Sequence, residues 1–136
     1  MQLTEKVTAA LYTEAMLLAD EARAYFDQFG RAARADMTPL QRVSFSCESL
    51  KVTTRLMHTI AWLLSQRAGE GPHNPLAAAA PSDDSVLGTL PEEAQQLIRA
   101  SEDLYARIQR LDRRLGKASA GISPALQLRA RLEKAF

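Results

Sequence analysis

The chain has 136 residues, which is the size of a single domain. Its 17 Lys and Arg residues against 16 Asp and Glu give a formal charge of +1, which argues against wrapping of nucleic acid by a basic excess. With 46% hydrophobic and 24% charged residues, the composition predicts a folded protein and not a disordered one.

The first predicted helix runs from about residue 4 to residue 29. Its apolar residues recur in steps of four and three, the spacing of one helix face. We expect it to end at Gly30, because glycine commonly follows the last residue of a helix. The residues predicted to face the core are Leu11, Ala15, Leu18, Ala22, Tyr25 and Phe29.

The second predicted helix, residues 39–68, has a clear start signal. Thr38 can cap it, Pro39 suits its first position, and Gln41 completes a capping box. Gly69 and Gly71 mark its end. The residues predicted to face the core are Val43, Cys47, Leu50, Thr54, Met57, Ala61, Leu64 and Ala68.

The third predicted helix runs from about residue 90 to residue 115 and ends before Gly116. Four leucines at seven-residue steps make it the strongest pattern in the chain. We expect residues 70–88, which contain three prolines and a run of four alanines, to form a flexible loop. The predicted core face comprises Leu90, Ala94, Leu97, Ser101, Leu104, Ile108, Leu111 and Leu115.

The three helices share a spacing that favours packing at shallow crossing angles. The predicted fold is therefore all-α, an antiparallel three-helix bundle of long helices over residues 1–116. Residues 117–136 are expected to form a short helix or a disordered C-terminal tail, because a helix of about a dozen residues is marginal alone.

The second helix carries more apolar residues than one core face needs. Two interpretations are open: the extra residues widen one core, or they form the interface of a homodimer. We predict the homodimer. A second apolar stripe of this helix is expected to form its interface or the binding surface for a partner protein. Its residues are Phe45, Val52, Leu56, Trp62 and Leu63.

The third helix carries a basic stripe in steps of three and four. An ordinary solvated face explains it, and so does a docking surface for an acidic partner. No nucleic-acid partner is expected, because aromatic residues do not alternate with the basic ones. The predicted docking stripe is Arg107, Arg110, Arg114 and Lys117.

Few residues are available for a catalytic or metal centre. Cys47 is the only cysteine, and two histidines, His58 and His73, cannot complete a tetrahedral metal site without carboxylates. No Gly-rich phosphate loop, HExxH motif or nucleophile elbow occurs. We predict no catalytic, metal-ligating or cofactor-binding residue. A histidine phosphotransfer role for His58 is an alternative, although the Lys-Gly that usually follows such a histidine is missing.

The N-terminal residues show no basic start followed by an apolar run. The most apolar stretch, residues 56–64, contains His58 and is too short to cross a bilayer. We therefore expect a cytoplasmic protein without a membrane partner.

Five segments resemble the regulator-of-CtrA-degradation (RcdA) family of bacterial proteins, and the resemblance extends from about residue 7 to residue 115. Its most specific part runs from Thr53 to Leu64. The segments are LYTEAM (11–16), ARAYFD (22–27), ESLKVTTRLM (48–57), AWLLSQRA (61–68) and LYARIQRLD (104–112).

The resemblance implies a non-enzymatic adaptor built as a dimeric three-helix bundle. It implies protease-delivery partners and cargo proteins, since family members help deliver cell-cycle regulators to the ClpXP protease. It carries over no catalytic residue. A purely structural dimer is a further alternative.

Overall fold

The computed structural model describes residues 2–69, 75–120 and 132–133, and the side chains of residues 2 and 117–120 lie outside this description. The helices are α1 (Gln2–Ala24), a π-helical turn (Tyr25–Phe29), α2 (Gly30–Ala35), α3 (Pro39–Ala68), α4 (Asp84–Leu87) and α5 (Glu92–Ala120). The predicted all-α bundle of long helices is confirmed. The predicted C-terminal tail lies largely outside the described residues.

The first helix does not end at Gly30. Gly30 has a helical φ of −61°, and the chain continues through the π turn into α2. Its role is close packing, because a Cβ atom at this position would lie only 3.3 Å from Cε1 of Phe45. The π turn holds one extra residue per turn and so rotates the helix face. Phe29, predicted to be in the core, is consequently 60% exposed.

The start of α3 follows directly from the sequence around Thr38. The Thr38 hydroxyl accepts a hydrogen bond from the Gln41 backbone N–H (3.2 Å), and Gln41 Oε1 accepts one from the Thr38 N–H (3.0 Å). The reciprocal bonds satisfy two donors that the first turn leaves open. At the other end, Gly69 adopts the left-handed φ of 62° that ends the helix.

Contacts show that α1 runs antiparallel to α3. In the middle of α1, the ring centre of Tyr12 lies 5.2 Å from the guanidinium of Arg67, near the end of α3. Beyond its end, the rings of Phe26 and Phe45 are 5.3 Å apart. High residue numbers in α3 therefore face low ones in α1.

The two other long helices, α3 and α5, run in the same direction, so the predicted antiparallel arrangement holds for α1 against each of them but not between α3 and α5. Arg55 of α3 donates to Ser101 Oγ of α5 (3.2 Å). Later in both helices, Trp62 Nε1 of α3 donates to Asp112 Oδ1 of α5 (3.1 Å). The connection between α3 and α5 must therefore retrace the length of the bundle, whereas α1 is antiparallel to both.

This return connection explains the long interval between α3 and α5. Its described part contains an irregular segment, residues 75–82, which we call the strap, followed by α4. Leu76 packs against the core and Leu87 is fully buried in it. The segment expected to be a flexible loop thus contributes to the packed structure over residues 75–88.

The core lies where α1, α3 and α5 meet. The core face predicted for α5 is confirmed from Leu90 to Ile108, with Leu111 and Leu115 partly buried at its edge. Gly116 does not end α5, which continues to Ala120.

Candidate interaction surfaces

The second stripe of α3 is part of the core. Its members are only 0–4% exposed, so the prediction that they form an external interface is wrong for this protomer. They pack against α1 and α5 instead, because α3 has turned this stripe inward. The corrected residues are Phe45, Val52, Leu56, Trp62 and Leu63.

The face of α3 predicted to be buried is the exposed one. Leu50 is 66% exposed, Met57 63% and Leu64 47%. Together these residues form an apolar line along the 30 residues of α3, about 45 Å long at the usual rise. We call this line the α3 seam; its members are Val43, Cys47, Leu50, Thr54, Met57, Ala61, Leu64 and Ala68.

Two buried charges explain why the inward face of α3 was hard to recognise. Glu48 and Arg55 are each 2% exposed, although both lie on the stripe that packs inward. Ser82 of the strap joins them: its hydroxyl donates to Glu48 Oε2 (2.6 Å) and accepts from Arg55 Nη2 (2.7 Å). The bridging hydroxyl lies 27 residues from Arg55 and 34 from Glu48 in the sequence, so no local pattern indicates it.

Further bonds attach the strap through its backbone. Arg55 Nη2 donates to the Ala80 carbonyl (3.0 Å), and Lys51 Nζ donates to the Pro81 carbonyl (3.0 Å). Tyr105 donates its hydroxyl to the Ala77 carbonyl. Burial, and next the charge of Asp112, raises the pKa of Tyr105, which keeps this hydroxyl protonated.

The basic stripe of α5 divides into two parts. Arg107 is engaged within the protomer: Nη1 donates to Glu14 Oε2 of α1 (3.1 Å), and Nε donates to Asp103 (3.1 Å). The bond to Glu14 is the largest cause of the raised pKa of Arg107. Arg107 therefore links α5 to α1, and its charge is already paired with Glu14 and Asp103 within the protomer.

Arg110 and Arg114 are exposed. With Arg107, they border a groove of about 220 Å³ whose floor is Val7, Leu11 and Leu111. The groove combines an apolar floor with positive charge, which suits an acidic segment with an apolar anchor. Lys117 lies in α5 and its side chain is outside the described part.

A separate cavity of about 310 Å³ lies between α1 and α3, next to the π turn. Its walls include Met16 and Met57, whose flexible thioethers adapt to different occupants. Asp20 and Arg23 stand among its lining residues and offer charges of opposite sign.

His58, the residue of the phosphotransfer alternative, lies on α3. It is half-buried, and its Nδ1 atom is buried with no hydrogen-bond partner. In the part of the chain that the structure describes, no group of three or more His, Cys, Asp or Glu could hold a metal ion.

None of the described helices is both long and apolar enough to span a bilayer.

The fold is an all-α bundle with an exposed apolar seam on α3 and a basic groove between α1 and α5. Residues 1–136 match the family described as "Protein of unknown function (DUF1465)", which is the domain of the RcdA family, and the chain belongs to this family.

A solved structure makes the relationship more specific. The chain is similar to RcdA from Caulobacter crescentus CB15, with 32% sequence identity and a TM-score of 0.62. The match covers 79% of this chain and 88% of the RcdA chain. No curated protein matches the chain. The resemblance first inferred from short sequence segments is thus confirmed.

Proposed function

We propose that this protein is a non-enzymatic adaptor of regulated proteolysis, which helps deliver cell-cycle regulatory proteins to the ClpXP protease in the cytoplasm. Membership of the RcdA family supports the class of function. The observation that carries the proposal is the α3 seam, because a soluble monomer rarely leaves an apolar line of this length uncovered. An adaptor works by holding cargo near a protease, so modest individual affinities suffice.

The α3 seam is the proposed homodimer interface, in place of the stripe predicted from sequence. Its large residues, such as Leu50 and Met57, alternate with small ones, such as Thr54 and Ala61. When two copies pack antiparallel, large residues of one helix lie opposite small residues of the other. The alternation therefore favours a two-fold, self-complementary contact between two α3 helices.

The groove bordered by Arg110 and Arg114 is the proposed docking site for an acidic segment of a partner protein. It lies on the α1–α5 side of the bundle. The α3 seam belongs to another helix, so self-association and partner docking use different surfaces and can occur together.

The central experiment measures client degradation by purified ClpXP with and without this protein, after recovery of clients with the protein as bait. We expect the wild-type chain to accelerate the turnover of at least one client. Leu50→Asp should remove the dimer in light scattering. The matched control is Leu17→Asp, because Leu17 is 66% exposed, as is Leu50, but lies on α1 outside the seam.

The basic groove needs its own variants. We expect Arg110→Glu and Arg114→Glu to weaken partner capture and leave the dimer intact, while Arg113→Glu, an exposed position of the same helix outside the groove lining, has little effect. Degradation of every recovered client at the same rate with and without the protein would refute the adaptor function, whatever the fold.

A further inference from the structure

The contacts of the strap differ from those of an ordinary packed loop. None of its eight residues, 75–82, is buried, and five of them are exposed. Beneath it lie side chains that are nearly inaccessible: Glu48 and Arg55 at 2% exposure and Tyr105 at 8%. The strap therefore covers polar groups while burying little apolar surface of its own.

The groove under the strap binds the strap mainly through the strap's backbone atoms. Side chains from α3 and α5 bind the backbone carbonyls of Ala77, Ala80 and Pro81. The strap also donates one backbone hydrogen bond: the Leu76 N–H donates to Asp112 Oδ2 (3.2 Å). An extended segment bound through backbone atoms in this way can be replaced by another segment with similarly small side chains.

The energetics favour a strap that opens. Only Leu76 joins the apolar core among its residues. Regions with little buried apolar surface open at lower free energy than the global unfolding reaction. Replacing buried charged groups by apolar residues of similar size is often neutral or stabilising in proteins, so stability alone does not require Glu48 and Arg55.

We propose that the groove between α3 and α5 is a peptide-binding site, occupied in the resting protein by the strap and open to an extended, alanine- and proline-rich segment of a partner protein. The partner segment takes over the backbone bonds to Arg55, Tyr105 and Asp112, and a hydroxyl near its C-terminal end replaces Ser82. This site is distinct from the α3 seam and from the basic groove, and it goes beyond the adaptor function proposed above.

The test uses a fluorescent peptide with the sequence of residues 75–83 and two forms of the full-length chain. In one form, a Gly-Ser linker of equal length replaces residues 76–82. We expect this form to bind the peptide at least about tenfold more tightly than the wild type, because the attached strap competes at a millimolar effective concentration.

Three controls make the assay specific to the groove. A peptide N-methylated at Leu76 should lose most binding, since it cannot donate to Asp112. In the linker form, Arg55→Met should abolish binding. Arg99→Met, at an exposed position of α5, should leave binding unchanged.

Equal binding to the linker form and the wild type, or full binding of the N-methylated peptide, would overturn the proposal. If the linker form does not fold by circular dichroism, Ser82→Ala replaces it. This variant keeps the strap but removes the hydroxyl that joins Glu48 and Arg55, and we expect it to bind the peptide several-fold more tightly than the wild type. Failure of this folded variant to bind better than the wild type would also refute the site. Because the assay contains no protease, its result does not depend on the adaptor function.

Discussion

Two neighbouring leucines of α3 provide a direct test of which face lies in the core. Leu63 is 0% exposed, whereas Leu64 is 47% exposed on the α3 seam. Replacing each by alanine removes the same three carbon atoms from the same helix. Any difference in the free energy of unfolding therefore reports burial and not helix propensity, which favours alanine over leucine by a few tenths of a kcal/mol at both sites.

The expected magnitudes are well separated. For Leu63→Ala, the three carbons contribute about 2.4 kcal/mol at ~0.8 kcal/mol each. The cavity left behind brings the loss to about 3–4 kcal/mol. Leu64 is about half exposed and leaves no enclosed cavity, so Leu64→Ala should lower the free energy of unfolding by about 1 kcal/mol or less.

The assay is urea unfolding followed by far-ultraviolet circular dichroism at several protein concentrations. The loss from Leu63→Ala should be independent of concentration. The loss from Leu64→Ala should grow with concentration if the seam is a dimer interface, because dimerisation adds stability by mass action. Equal losses for the two variants at the lowest concentration would refute the assignment of the two faces.

Three other perturbations follow from local geometry. Gly69→Ala should lower the free energy of unfolding by about 1 kcal/mol, because Gly69 has a positive φ. Gly116 lies within a helix with open space around it, so Gly116→Ala should raise the free energy of unfolding by up to ~1 kcal/mol. Thermal melts check both signs. Burial raises the pKa of Tyr25 and Tyr105 above 10.0, so their contribution to stability is complete below pH 10 and is lost as the pH rises further. Unfolding measured at a series of alkaline pH values should show a falling free energy of unfolding. In Tyr25→Phe, this loss of stability at alkaline pH should be smaller. Ser82→Ala should speed proteolytic cleavage of the strap without changing the helical content, and an unchanged cleavage rate would show that its hydroxyl does not hold the strap.

The elements that sequence analysis recognised are those governed by local signals. The capping box at Thr38 and the end of α3 at Gly69 depend on residues within one helical turn of each other. The core face of α5 is equally accessible to pattern analysis, because Ser101 is the single polar residue between Leu90 and Ile108 in its periodic series.

The face of α3 could not be deduced in this way. Two stripes with the same spacing compete, and the outward one is free of charge while the inward one contains Glu48 and Arg55. A rule that places the most apolar stripe in the core selects the wrong side. Part of the missing information lies in Ser82, which is 34 residues from Glu48 in the sequence and bonds to both charged side chains. Lys51 Nζ also donates to Glu48 Oε1 (3.0 Å).

The rotation at the π turn was also inaccessible to sequence analysis. The period of the apolar pattern changes within one turn, so Phe26 and Gly30 face inward where the regular helix predicts Phe29. Gly30 resembled a helix end because its actual partner, the ring of Phe45, comes from another helix.

The parallel arrangement of α3 and α5 has a consequence for the order in which the molecule assembles. A tight turn joins α2 to α3, so the hairpin of α1 and α3 closes through a short loop. The contacts of α5 with α3 close a longer loop, because the connection runs back along the bundle. We therefore expect α5 to dock after the α1–α3 hairpin during folding, because its contacts close a longer loop. A single cut in the return connection would leave α5 held in the bundle by noncovalent contacts alone, chiefly those of its buried core face.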